Sequence, residues 1–267
     1  MAPDQRALDA PAYATAATSV LRLPAGRSES DRLAVEEPLE IRIDGRPVAV
    51  TMRTPGHDEE LALGFCLTEG IPARTARVPG DLAANTIDVH VDGPFDRRTV
   101  QRSFYTSSSC GVCGKGALGA VAVSAPAVDA DLHLPLTLVA GLPDALRREQ
   151  ATFEATGGLH ATGLFDEHGK PLCVREDVGR HNAMDKVIGW AHEAGLLPLD
   201  AQVLCVSGRL SFELVQKAAV AGCPILVAVG APSSLAVDLA RDRGITLCGF
   251  VRGGALNVYT EPCRLEV

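Results

Sequence analysis

Aromatic side chains are scarce in this chain. Phe, Trp and Tyr make up 4% of its 267 residues, with a single Trp. Ala, Val and Leu must therefore fill the interior, and a hydrophobic content of 46% is enough for a substantial core. No run of about 18 apolar residues occurs, so no membrane span is expected. The opening Met-Ala-Pro-Asp-Gln-Arg-Ala-Leu-Asp has no apolar h-region, so no signal peptide is expected. A basic excess is missing too: 25 Lys and Arg face 33 Asp and Glu, for a formal net charge of −8. That balance argues against a nucleic-acid binder that works by neutralising phosphates, but leaves room for a local basic pocket. Nor is there a small-scaffold cysteine framework. Of eight cysteines, Cys66, Cys173, Cys205, Cys223, Cys248 and Cys263 stand alone, several of them in or beside apolar runs. Such cysteines usually behave as small buried hydrophobes, and the chain reads as a cytoplasmic protein with reduced thiols.

The two remaining cysteines are different. Residues 106 to 115 read Thr-Ser-Ser-Ser-Cys-Gly-Val-Cys-Gly-Lys. Cys110 and Cys113 sit among small residues with Lys115 close behind, and the stretch lacks helix or strand periodicity. A mobile, exposed loop is expected. The thiolate is the reactive form of cysteine and nearby positive charge favours it, so this loop is suited to sulfur chemistry. A zinc half-site would need two further ligands, and no second Cys-x-x-Cys exists. A thioredoxin-type pair would open a helix after a strand, yet this pair precedes the βαβ region by about ninety residues. A zinc deaminase would use His-x-Glu and a later Pro-Cys-x-x-Cys; His57-Asp58-Glu59 supplies the first part, but Ser109 stands where the proline should be.

The pattern along the chain predicts an α/β protein. Residues 1–35 read as a loose lead-in, with one edge strand near Ser19–Leu23. Residues 36–105 read as a small α+β subdomain: alternating strands around the Asp44-Gly45 turn, a helix from His57 to Glu69 with acidic residues in its first turn, and a strand from Thr86 to Val91. Residues 106–135 hold the sulfur loop and a connector. Residues 136–267 read as the larger α/β domain. A helix from about Thr137 to Gln150 precedes two strands, through Phe165 and from Leu172 to Arg175. Next comes a helix with Met184, Val187, Ile188 and Ala191 on one face and His181, Asn182, Asp185 and Lys186 on the other. Asp177 is a candidate cap for it. From Gln202 the order is βαβαβ with short loops, hence a parallel sheet. The loops Ser207-Gly208-Arg209, Gly230 to Ser234 and Arg252-Gly253-Gly254 follow the carboxyl ends of strands, where open α/β sheets bind ligands. Arg209 and Arg252 stand where a phosphate would meet backbone amides, although neither loop matches a dinucleotide or Walker motif. The density of Arg175, Glu176, Asp177, Arg180 and His181, and His160 after two glycines, marks further candidate pocket residues.

Six blocks resemble the FdhD family of formate dehydrogenase accessory proteins: Ser107 to Lys115; Thr54-Pro-Gly-His-Asp-Glu-Glu-Leu-Ala-Leu-Gly-Phe65 with Leu67-Thr-Glu-Gly-Ile71; Phe153 to His160; Arg175 to Lys186; Val206 to Glu213; and Gly249 to Gly254. The resemblance runs in order over about residues 36 to 260. It implies a sulfur carrier, a sulfurtransferase that takes persulfide sulfur from a cysteine desulfurase. The sulfur then passes to the molybdenum (or tungsten) bis-molybdopterin guanine dinucleotide cofactor, which formate dehydrogenase needs. It implies a cytidine-deaminase-like fold for the larger domain and a homodimer. It places the persulfide on Cys110 with Cys113 assisting, and cofactor contacts at Phe250, Val251, Arg252, Gly253, Gly254 and Ala255, with GDP-like nucleotides as mimics. Neither nucleic acid nor membrane is expected as a partner. A non-catalytic cofactor-binding chaperone and a zinc-dependent nucleoside deaminase stand as the alternatives.

Overall fold

The turn at Asp44-Gly45 sets the first sheet. Both residues have positive φ, 47° and 76°, the backbone that a two-residue hairpin requires. It joins β3 (Glu37–Ile43) to β4 (Arg46–Arg53). Strands β5 (Ala73–Arg77) and β6 (Thr86–Val91) complete a sheet in the order β4-β3-β6-β5. Alternation along β3 buries Leu39, Ile41 and Ile43. Helix α1 (Asp58–Thr68) covers them with Leu61, Ala62, Leu63 and Cys66. Its first turn carries Asp58, Glu59 and Glu60, which suit the positive end of the helix. The computed structural model describes residues 10–80, 85–93 and 125–266; Cys110, Cys113 and Lys115 lie outside the described residues.

Residues 15–34 depart from the expected lead-in with at most one edge strand. Strands β1 (Thr15–Arg22) and β2 (Arg27–Ala34) pair antiparallel along their whole length. The ribbon escapes pattern reading because it has no buried face to impose alternation: none of its strand residues is buried and most are exposed, Leu21 among them.

The second sheet is built from β8 (His160–Phe165), β9 (Pro171–Asp177), β10 (Val203–Val206), β11 (Ile225–Ala228), β12 (Thr246–Arg252) and β13 (Ala255–Thr260), in the order β13-β12-β11-β10-β8-β9. The expected parallel unit is there in β10, β11 and β12. Antiparallel strands flank it, so the sheet is mixed. Tight turns at 166–170 and 253–254 return the chain beside itself, and only antiparallel pairing allows so short a connection. Two strands of two residues, β7 (Leu134–Pro135) and β14 (Leu265–Glu266), pair separately. The helix expected from 137 to 150 is α2 (Leu136–Arg148); a further short helix, α3 (Ala151–Thr156), follows after Gln150, which leaves helical geometry at φ −92°, ψ 68°.

Helices cover both faces of this sheet. On one face α2 lays Val139, Leu142 and Leu146 over Phe165, Val203, Cys205, Ile225, Val227 and Cys248. On the other, α4 (Arg180–Glu193), α5 (Phe212–Val220) and α6 (Ser234–Arg243) lay Met184, Val187, Leu214, Ala218, Ala236 and Ala240 over Leu164, Leu204, Leu226 and Leu247. Burial from both sides explains why these strands are continuous apolar runs without alternation.

Helix α4 joins the two units. Its polar residues Asn182, Asp185 and Lys186, set opposite the apolar face in the sequence, are buried as well. That side of α4 crosses α1, and the crossing is close at two glycines. A Cβ on Gly64 would lie 1.8 Å from the Asp185 carbonyl oxygen, and one on Gly189 would lie 1.9 Å from that of Glu60. Polar groups fill the rest of the joint. Lys217 Nζ contacts Asp185 at 2.8 and 2.9 Å and donates to Thr68 Oγ1 at 2.8 Å. Lys186 Nζ lies 2.8 Å from Asp177, whose carboxylate also accepts from the Thr54 amide at 3.1 Å. Arg175 and Glu60 form a two-bond pair at 2.6 and 2.7 Å. Burial opposes the charge on Lys217, but the Asp185 and Glu69 carboxylates outweigh it and hold its pKa above the ordinary lysine value.

Candidate functional site: the carboxyl edge of the large sheet

Strands β10 and β11 end side by side, and short loops carry the chain from there into α5 and α6. Backbone hydrogen bonds lace these loops to each other and to β12. The Gly230 amide donates to the Gly208 carbonyl at 3.0 Å, and the Phe250 amide donates to the Gly230 carbonyl at 3.1 Å. Leu210 and Ser233 add bonds at 3.0 Å between the β10 and β11 loops. Glycine is needed at 230: a Cβ there would lie 2.8 Å from the Gly208 oxygen and 3.0 Å from Arg209. The sheet edge is thus a fixed row, His160, Gly208, Gly230 and Phe250, on four neighbouring strands.

At one end of the row, β12 runs past β11 and turns back as a hairpin. Gly253 and Gly254 both have positive φ, 58° and 81°, and Arg252 pairs with Ala255 across them. Phe250 has φ 54° and is 43% exposed. A left-handed backbone under a large side chain costs about 1–2 kcal/mol, and the bond to Gly230 holds it there. An aromatic ring is thereby kept at the surface; Val229, Leu235 and Val258 are exposed as well. Arg252, Gly253, Gly254 and Ala255 are exposed as well. Val251 is fully buried, its side chain in the core beside α2. Arg209 is exposed on the β10 loop.

At the other end stand His160, at the start of β8, and the first turn of α4. The His160 ring lies over Gly208, its Nδ1 3.4 Å from where a Cβ would be. Burial, then the cations Arg180, His181 and Arg209, hold the His160 pKa below its ordinary 6.5, with Asp177 opposing. His181 Nε2 lies 2.9 Å from the Glu213 carboxylate and 3.2 Å from Ser211 Oγ.

Of the dense block from Arg175 to His181, Asp177 pairs with His160 but is spent on inner partners, and Arg180 and His181 stand at this edge on α4. Arg175 belongs to the joint with α1. Glu176 caps α3 by accepting from the amides of Thr152 and Phe153 at 2.8 and 2.7 Å. Asp177 is the last residue of β9; Gly179 takes the N-cap position of α4, and Asp177 accepts from its amide at 2.8 Å. Gly230 opens one of the loops marked in the sequence, whereas Ser211 and Glu213 lie five and seven residues past the end of β10 and carry no signal beyond their place in the Val206 to Glu213 block.

The described cysteines are poor nucleophiles with one exception. Cys66, Cys173, Cys205, Cys223 and Cys248 are free and buried. Burial pushes the thiols of Cys173, Cys223 and Cys248 up to about 12, and those of Cys66 and Cys205 higher still. Cys263 is exposed.

Comparison with known proteins places this architecture. The family model described as FdhD/NarQ matches residues 34–266. The chain is 51% identical over 276 aligned positions to the sulfur carrier protein FdhD of Mycobacterium tuberculosis, covering 95% of this chain and 99% of that one. It is 49% identical over 253 positions to the protein of the same name from Streptomyces avermitilis, covering 89% and 90%. Among solved structures, a protein from Desulfotalea psychrophila assigned as a formate dehydrogenase accessory protein superposes with a TM-score of 0.73 at 26% identity, covering 94% of this chain and 98% of that one.

Proposed function

This chain belongs to the FdhD/NarQ family of sulfur carriers that serve formate dehydrogenase, and from that premise we propose that it is a persulfide sulfurtransferase acting on a guanine-nucleotide client. In this reading Cys110 receives sulfur from a cysteine desulfurase. Its thiolate attacks the outer sulfur of the donor's persulfide; a new S–S bond forms on Cys110 and the donor leaves as a thiolate. Five of the six described cysteines are buried, with thiols too weakly acidic for this step. That directs attention to the loop pair. Sulfur then passes to the molybdenum or tungsten bis-molybdopterin guanine dinucleotide, the client, either directly or as sulfide. In the second route Cys113 attacks the inner sulfur of Cys110, expels hydrosulfide and leaves a Cys110–Cys113 disulfide, which a thiol reductant must reopen before the next turnover.

The client is placed at the carboxyl edge of the large sheet, a unit we read as a cytidine-deaminase-like fold without deaminase chemistry. Phe250 offers its face to the guanine. The turn from Arg252 to Ala255 and the Arg209 side chain offer donors to phosphate. Val251 supports the turn from within. The observation that carries this placement is the exposed Phe250 ring, held on strained backbone by Gly230. GDP serves as a client mimic, a cysteine desulfurase and formate dehydrogenase are the protein partners, and the carrier works in the cytoplasm as a homodimer.

The test is to incubate the protein with a cysteine desulfurase and cysteine and to map added sulfur by mass spectrometry. One extra sulfur on Cys110 is expected, lost in Cys110→Ala, and that variant is expected not to restore formate dehydrogenase in a deletion strain. Absence of persulfide from both Cys110 and Cys113 would overturn the proposal.

A further inference from the structure

Among the described residues, Arg180 is a cation without a counter-charge. Its Nε is buried without a hydrogen-bond partner, and among the described residues the side chain makes no ion pair. Every other buried or half-buried arginine or lysine among them is met. Arg42, Arg53, Arg175, Lys186 and Lys217 contact carboxylates; Arg243 and Arg264 contact main-chain carbonyls. A half-buried guanidinium with no counter-charge loses hydration and gains nothing in return. The groups around it do not repair the imbalance. His160 is half-buried over Gly208, and Arg209 on the next loop brings another positive charge, with no ion pair among the described residues. The nearby Asp177 carboxylate is already taken by Lys186, the Thr54 and Gly179 amides and Asn182. Glu213 is taken by His181. The guanidinium fork of Arg180 suits two oxygens of one oxyanion.

We propose that Arg180, with His160 and Arg209, binds a phosphoryl oxyanion at the β8 end of the sheet edge. This deepens the placement of the client argued above and rests on it for the ligand's orientation. This cluster lies three strand spacings from Phe250, about 14 Å. A nucleotide along the row then has its base at the β12–β13 hairpin and its phosphates running toward α4. Neutral His160 sits where one ring nitrogen serves as a donor to the anion, and anion binding favours its protonation. The charged groups facing His160 are Arg180 and His181 from α4, Arg209 from the β10 loop and Asp177 from β9.

The experiment is isothermal titration of the full chain with inorganic pyrophosphate, guanosine and GDP, in the wild type, Arg180→Gln and Phe250→Ala. Pyrophosphate and GDP are expected to bind Arg180→Gln roughly 10- to 100-fold more weakly, with guanosine unchanged. Phe250→Ala is expected to weaken guanosine and GDP and leave pyrophosphate unchanged. Arg180→Lys keeps the charge without the fork and falls between. Unliganded Arg180→Gln is expected to be no less stable to urea than the wild type, because an uncompensated charge is removed, and to lose the stabilisation that pyrophosphate confers. In NMR titrations pyrophosphate raises the His160 midpoint in the wild type and leaves it in Arg180→Gln. Pyrophosphate that fails to bind the wild type, or binds Arg180→Gln equally well, overturns the proposal. If pyrophosphate binding depends on Arg180 while guanosine and GDP owe nothing to Phe250, the oxyanion site stands as one for free phosphate and the guanine placement falls instead.

Discussion

Gly64→Ala adds one methyl group in the middle of α1. In a solvent-facing helix position that change stabilises, by about 0.5–1 kcal/mol. Here the new carbon would lie 1.8 Å from the Asp185 carbonyl oxygen, where an ordinary carbon–oxygen contact is about 3.3 Å. The helices must part by about 1.5 Å, and neither backbone has a side-chain rotamer with which to yield. Parting costs overpacking strain of about 1–3 kcal/mol. It also stretches the Thr68 to Asp185 and Lys217 to Thr68 bonds, now 3.0 and 2.8 Å; loss of one buried charge-assisted bond costs about 1.5–3 kcal/mol. A net destabilisation of about 3–5 kcal/mol is expected. Urea unfolding followed by circular dichroism measures it. Gly141→Ala is the control, since Gly141 lies in α2 with nothing within 4 Å of an added Cβ, and it is expected to stabilise. If Gly64→Ala costs under about 1 kcal/mol, the crossing is not as close as described and the account of the joint fails.

The same joint gives a second expectation. Lys217→Met leaves the Asp185 carboxylate buried without its cation and is expected to cost about 3–5 kcal/mol, whereas Asp185→Asn with Lys217→Met costs less than the two single changes summed; a double-mutant cycle in urea decides. Stability is also expected to fall in two acid limbs. His160 is held below 6.5, so its contribution is complete above that value and is lost as pH falls through the lower folded value. For Glu60 burial alone would raise the carboxyl, but the Arg175 bonds prevail and hold it below 4.5, so its contribution disappears further down. His160→Gln and Glu60→Gln should each flatten one limb of a urea-midpoint profile, and an unchanged profile contradicts the assignments. Phe250→Gly relieves a left-handed backbone and is expected to add about 1 kcal/mol of stability while weakening GDP; a destabilised variant would show that the ring is packed rather than presented.

Strands buried on both faces, the Asp44-Gly45 turn and the acidic start of α1 are local signals, and they were legible. So was the row of short loops at one edge of the large sheet, because the loops after β10 and β11 can only emerge there. What the chain did not disclose was partnership at a distance. Asp185 and Lys217 look like members of solvated helix faces until α1 is laid across α4, and Asp177 looks like a simple cap until Thr54 and Lys186 arrive. Gly64 and Gly189 read as ordinary small residues because each is explained only by a carbonyl more than a hundred positions away. Arg180 is the converse: within a cluster of charges it seemed one of many, and only the pairing of the other buried and half-buried cations among the described residues sets it apart.

The crossing of α1 and α4 also orders events during synthesis. The α1 sheet can condense on its own apolar side as soon as it leaves the ribosome. Its second side cannot, since Glu60 awaits Arg175 and Thr68 awaits Asp185 and Lys217. At 5–20 residues per second those partners follow roughly 6–30 s behind. During that interval the face of α1 that carries Gly64 stands uncovered on the nascent chain, and it closes only once α4 has been made.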